Sequence, residues 1–150
     1  MRHLAWEKAE PVSRRSPSAL TLAADTIVVH EDTVLGKPRD EPEARHMLRR
    51  LSDDTHTVFT GLALFHPASN RRITASEATR VTFAALSDAE IDAYVASGAA
   101  MDKAGAYGIQ GDLSTVFVAR IEGDFYNVMG LPLHRLYHLL RDHFPDLLAF

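Results

Sequence analysis

The stretch that most limits the fold is an apolar run ending in an acid, answered by a second run ending in Gly-Lys-Pro. Ala19-Leu20-Thr21-Leu22-Ala23-Ala24 has strand length and stops at Asp25, and Ile27-Val28-Val29 resumes the β-rich pattern. His30-Glu31-Asp32 turns the chain, Thr33-Val34-Leu35 returns, and Gly36-Lys37-Pro38 closes the return. Such a hairpin brings the Asp25 carboxylate and the Lys37 ammonium to nearby strand ends. An acid beside a glycine-borne lysine suits metal-bound phosphate, the acid holding a hard cation and the lysine neutralising oxygens. Taken alone, a turn residue and a solvated charge explain the pair more simply.

The remainder alternates strand and helix signals. Leu4 to Val12 has helical spacing ended by Pro11, and Ser13-Arg14-Arg15-Ser16-Pro17 is a polar linker. Asp40 caps a helix in which Glu43 completes a capping box and Ala44, Met47, Leu48 and Leu51 form the apolar stripe. Arg45, Arg49 and Arg50 lie off that stripe, as a solvated basic face. Thr57 to Phe65 and Arg72 to Phe83 read as strands joined by a turn at His66-Pro67-Ala68-Ser69-Asn70. Ser87 and Glu90 mark a second capping box before Ile91, Tyr94 and Val95. Strands are expected over Thr115–Ile121 and Phe125–Met129, then a last helix burying Leu133, Leu136, Leu139 and Leu140. His134 and His138 have a zinc-compatible spacing, but no glutamate follows His134, and an exposed face accounts for them. Residues 98–114 hold four glycines with little apolar periodicity, a loop that core packing does not explain. It carries Lys103 and Gln110.

A length of 150 residues fits one domain, residues 1–150, large enough for a core without staples. The absence of cysteine excludes disulfides, thiolate catalysis and zinc–thiolate sites. A net charge of −4 argues against a nucleic-acid partner. No run approaches membrane-spanning length and the first residues lack a signal-peptide core, so no membrane association and a cytoplasmic location are expected.

Ala24-Asp25-Thr26, Leu35-Gly36-Lys37-Pro38, Thr60-Gly61, Asp102-Lys103-Ala104-Gly105-Ala106-Tyr107-Gly108-Ile109-Gln110-Gly111 and Asn127-Val128-Met129-Gly130-Leu131-Pro132-Leu133 together resemble the Maf family, septum-formation-inhibitor Maf-like nucleoside triphosphate pyrophosphatases. The Asp102–Gly111 stretch resembles the branch acting on dTTP and UTP. The resemblance implies an α/β fold related to the inosine-triphosphate pyrophosphatases, with a long, mixed, twisted sheet flanked by helices and a nucleotide cleft between two lobes. It also implies a nucleoside triphosphate substrate, a divalent cation (Mg²⁺ or Mn²⁺) and a homodimer. In its terms Asp25 is metal ligand or general base, Lys37 and Lys103 neutralise phosphates, and Gln110 with Gly105 and Gly111 shapes the pocket. Lys8 matches a family lysine and Thr26 supports Asp25. The family opens with a strand and an S-x-S-P-R-R phosphate loop, so the chain is expected to be truncated at its N-terminus relative to the family. Ser13-Arg14-Arg15-Ser16-Pro17 has the wrong order to stand for that loop. Without it, the alternative is a catalytically impaired nucleotide-binding or cell-division regulatory protein.

Overall fold

Thr21 to His30 forms one uninterrupted strand, β1, that runs through Asp25 instead of stopping at it. Side chains alternate between faces, so one acid in a strand needs only a wet position on its own face. The computed structural model describes residues 2–111 and 113–149; Asp112, at the end of the glycine-rich stretch, lies outside the described residues. β2 (Thr33–Leu35) returns along β1 with Val28 opposite Leu35 and His30 opposite Thr33. Glu31 and Asp32, both at positive φ, make the two-residue turn that matches strand twist.

β3 (Thr55–His66), β4 (Arg71–Phe83) and β5 (Val118–Glu122) complete a sheet of order β2-β1-β3-β4-β5. Every pairing among the described residues is antiparallel, so the sheet is not the mixed one that the resemblance implied. Two of its four pairings are hairpins closed by short turns, which admit only antiparallel strands. With the helices, the architecture is α/β in composition, as expected.

Helix α1 (Arg2–Ser13) keeps Pro11 inside its last turn and buries Ala5 and Ala9 against Ala63 of β3. α2 (Glu41–Leu51) buries the expected stripe of Ala44, Met47, Leu48 and Leu51. Asp40 accepts the Glu43 N–H, but the Glu43 carboxylate takes the Arg39 N–H and guanidinium, so the reciprocal bond of a capping box is absent. α3 (Asp88–Ala96) has the complete box between Ser87 and Glu90. The basic face of α2 is not merely solvated: Arg45 and Arg49 bond Asp92 and Asp88 on α3.

Three other expectations are corrected. Residues 113–117 form a 3₁₀ turn, which shortens the expected strand to β5. Phe125–Met129 is a helix, α4, because the Asp124 side chain accepts the Tyr126 and Asn127 N–H groups and Gly130 at positive φ ends it. In α5 (Leu133–His143) only Leu139 is fully buried, while Leu133 is exposed.

Two apolar clusters cover one face of the sheet. Val28, Val58, Val81 and Phe83 pack with α2 and α3, and Leu62, Leu64 and Ala75 pack with Leu139 and Phe144. α1 covers the opposite face through Ala63. No helix among the described residues is long and apolar enough to cross a membrane.

Asp124 holds two otherwise unpaired N–H groups of α4. Asp124→Ala is expected to cost about 1 kcal/mol, lowering the thermal midpoint by roughly 2–4 °C. Thermal melts followed by circular dichroism check this; an unchanged midpoint removes Asp124 as the cap.

Candidate functional site

β2 meets β1 only from Val28 to His30, so among the described residues the outer edge of β1 before Val28 pairs with no strand. A hollow of about 380 Å³ opens at that edge. Ala24, Asp25 and Thr26 form one wall, and Lys8 of α1 and Lys37 flank it. The segment after α3 brings Asp102, Lys103, Tyr107 and Gln110, and the end of α4 brings Val128, Met129 and Gly130.

Asp25 lies opposite Gly61, on the face of the sheet that α1 covers. Its Oδ1 accepts the Lys8 ammonium, and the Lys8 side chain is 58% exposed against 16% for Asp25. Oδ2 has no hydrogen bond among the described residues. Lys37 follows Gly36, whose carbonyl accepts the Gly105 N–H at 3.0 Å. That bond joins the two lysine-bearing segments. Lys103 donates to the Ala99 carbonyl at 2.6 Å and to Asp102 Oδ1 at 2.9 Å. The Lys103 bond and charge, with a smaller contribution from Lys37, hold the Asp102 carboxyl below its ordinary range. Lys37 has no ion-pair partner among the described residues.

Of the eight residues the sequence suggests, Lys8, Asp25, Thr26, Lys37, Lys103 and Gln110 line this hollow, while Gly105 and Gly111 do not. Gly105 is at φ +71°, and a Cβ there would stand 3.1 Å from Val28 Cγ2, so its missing side chain serves packing. Gly111 has open space around it. Thr26 supports the floor instead of Asp25. Its hydroxyl shares a 2.8 Å bond with Thr60, which donates to the Asn127 carbonyl at 3.2 Å.

Sequence reading assigned nothing to Asn127 or to the pair His56–Tyr107. Asn127 is fully buried and donates through Nδ2 to Val58 O and Thr79 Oγ1. Its signal was the aspartate three residues before it, a helix cap in a β-rich string. His56 Nε2 and the Tyr107 hydroxyl share a buried bond of 2.7 Å. Burial, with repulsion from His30, lowers His56 to about 4, and burial pushes the Tyr107 phenol up. Both are neutral at pH 7. Tyr107 also places the glycine-rich segment partly in the core, with Ala100, Ala106 and Ile109, against the expectation of a loop without packing.

The donor chemistry of this wall fits a hard divalent cation. Asp25 leaves Oδ2 for it, and such cations are commonly held by one or two carboxylates together with water and substrate phosphates. A second acidic cluster, His30, Glu31 and Asp54, lies at the β1–β2 turn and not on the hollow. There His30 Nε2 bonds Asp54 at 2.8 Å and Glu31 stands 3.8 Å from Arg50, a local ion-pair group. His134 and His138 stack edge to face on α5 and do not line the hollow.

Residues 1–143 match the Maf-like protein family. The chain is 58% identical over 148 residues to a dTTP/UTP pyrophosphatase of Salinibacter ruber, covering 99% of this chain and 72% of that protein. It is 49% identical over 138 residues to a dTTP/UTP pyrophosphatase of Bacillus cereus, covering 92% of this chain and 71% of that protein. A Bacillus anthracis protein of the same name is 48% identical, with the same coverage.

Because His56 folds with its pKa at about 4 against an ordinary 6.5, the unfolded chain binds more protons between those values. Stability is therefore full above pH 6.5 and falls as pH drops towards 4, by roughly 3 kcal/mol from this group. Urea unfolding from pH 7.5 to 4 measures it. His56→Gln is expected to flatten the slope, and an equally steep slope in that variant assigns it to other groups.

Proposed function

Because the chain belongs to the Maf-like protein family, we propose that the hollow beside β1 takes dTTP and UTP and that the chain hydrolyses them to the nucleoside monophosphate and pyrophosphate. One observation carries this reading: Asp25, Lys8, Lys37 and Lys103 all line one hollow. A polyanionic triphosphate is the ligand such a wall recognises. The apolar portion of the lining, Val28, Val58, Ile109, Val128 and Met129, suits a base and sugar.

Lys8 takes Oδ1 of Asp25 and fixes the carboxylate, leaving Oδ2 as the oxygen that holds the cation or accepts a proton from the attacking water. A divalent cation, Mg²⁺ or Mn²⁺, would bind at Asp25 and would polarise the phosphates and acidify water. Lys37, without an ion pair among the described residues, is the lysine most free to bind an incoming anion in this reading. Lys37 and Lys103 then neutralise charge that builds on the departing pyrophosphate when the α–β anhydride breaks. Gln110 offers an amide that both donates and accepts. Thr26 holds the floor through Thr60. A cytoplasmic homodimer belongs to the same reading. Phe125, Tyr126, Leu133 and Tyr137 are exposed on α4 and α5, apolar side chains of the kind that pair protomers.

Asp25→Asn is expected to lower pyrophosphate release from dTTP by at least about 100-fold with the fold intact. Release is read with Mg²⁺ or Mn²⁺ against UTP and purine triphosphates. Wild-type rates in that variant would remove Asp25 from the reaction. Preference for a purine triphosphate would overturn the substrate assignment. Lys37→Ala is expected to raise KM and lower kcat together, by about tenfold or more in kcat/KM; unchanged kinetics would take Lys37 out of the pocket's work.

A further inference from the structure

We infer that His56 is a positioning residue for the anion-binding segment: through the Tyr107 hydroxyl it sets where Lys103 and Gln110 stand at the hollow. The inference rests on the pyrophosphatase reading above.

Tyr107 joins the hollow to the core. The residue belongs to the hollow's lining, four residues after Lys103 and three before Gln110, while its buried hydroxyl reaches His56 Nε2 at 2.7 Å. His56 stands in β3, is 2% exposed and does not line the hollow. The tyrosine ring meets Phe83 edge to face at 4.7 Å and His56 at 5.3 Å. Packing of this kind keeps the ring buried but tolerates small slides and tilts. A directional bond to a fixed strand residue removes that freedom.

The backbone beside Tyr107 has a reason to need it. Ala106 is held at φ +62°, a left-handed conformation that a residue with a Cβ rarely adopts. Such strain persists only where the surroundings over-determine the chain. Two anchors flank Ala106: the Gly105 N–H bond to the Gly36 carbonyl, and the Tyr107 hydroxyl bond to His56. The first ties the segment to the loop of Lys37. The second ties it to the sheet. Loss of the hydroxyl also leaves His56 with both ring nitrogens unpartnered, since Nδ1 is already buried without a hydrogen bond. The ring then loses its directional anchor, and the segment keeps only the Gly105 bond and the Gly108 bonds to the Ser114 hydroxyl; displacement of charged groups by about 1 Å costs a reaction up to about 100-fold.

The test uses Tyr107→Phe, His56→Phe, their double variant and His56→Gln, whose amide nitrogen can stand near the place of Nε2. Three quantities are measured on the full chain: kcat and KM for pyrophosphate release from dTTP, the thermal midpoint, and amide hydrogen exchange over residues 103–110. Tyr107→Phe and His56→Phe are each expected to lower kcat by about tenfold or more at temperatures where both are folded, and to speed exchange in the segment. His56→Gln is expected to restore kcat to within about threefold, and the double variant to be no worse than the poorer single one. A role in packing alone would move the midpoint and leave kcat and KM of the folded enzyme unchanged. Wild-type kcat and exchange in Tyr107→Phe, which loses a single oxygen, would overturn the inference, and so would a His56→Gln variant as impaired as His56→Phe. If the unaltered chain releases no pyrophosphate, the functional reading falls, and exchange in Tyr107→Phe still decides whether the tether exists.

Discussion

Among the described residues β1 is longer than the strand covering its outer edge, and the hollow lies beside the part that strand does not reach. β1 runs ten residues and is paired along its inner edge with β3, while β2 has three residues and meets only the last part of β1. An uncovered edge leaves backbone polar groups seeking partners, which most folds avoid. Here that edge is bordered by an acid and by lysines from three other parts of the chain. Gly61 opposite Asp25 adds no side chain to crowd the carboxylate, and Ala5 and Ala9 bring α1 close enough for Lys8 to reach it.

Lys37 apart, the charges at the hollow are paired, but weakly. Lys8 is more than half exposed, so its bond to Asp25 contributes at most about 1 kcal/mol. Asp102, which receives Lys103, is exposed as well. Weak pairing is what an anion site needs, because a bound phosphate must exchange these contacts for its own. A buried pair would resist that exchange, since separating it strands a charge away from water. The unlike environments of the lysines follow from position: Lys37 is carried past the end of β2, while Lys103 sits within reach of the Ala99 carbonyl.

Local rules made much of this legible. Asp40, Ser87 and the apolar stripe of α2 act within a few residues, and the structure keeps each in its place. The hairpins followed from turn residues flanked by β-rich runs. Failures came where two local signals competed. Phe125 to Met129 has strand-like composition, and the cap at Asp124 with the left-handed Gly130 overrides it. Asp25 looked like a stop because polarity was read without the pleat. Tyr107 was hidden for a different reason: a segment without periodicity still contributes to the core when single residues, separated by glycines, turn inward. The Lys8–Asp25 contact joins a helix to a strand, and the His56–Tyr107 bond spans 51 residues, so neither leaves a spacing to find.

Beneath the hollow lies a polar chain that apolar packing could not replace. Asp124 exchanges backbone bonds with the Thr79 hydroxyl, Thr79 accepts from Asn127 Nδ2, and the Asn127 carbonyl accepts from Thr60, which in turn takes the Thr26 hydroxyl proton. Each bond alone is worth about 1 kcal/mol net. Their significance is geometric. They run from the turn before α4, across β4 and β3, to the residue after Asp25. The end of α4 that supplies Met129 and Gly130 is thereby held in register with the wall that supplies Asp25. Gly123 belongs to the same arrangement, since a Cβ there would come within 2.9 Å of Thr79 Oγ1 and push the chain apart at its first link. Side chains in such a series share partners, so removing one hydroxyl unpairs its neighbours as well. The rim and the wall of the hollow are thus one mechanical unit, though α4 and β1 are distant in sequence.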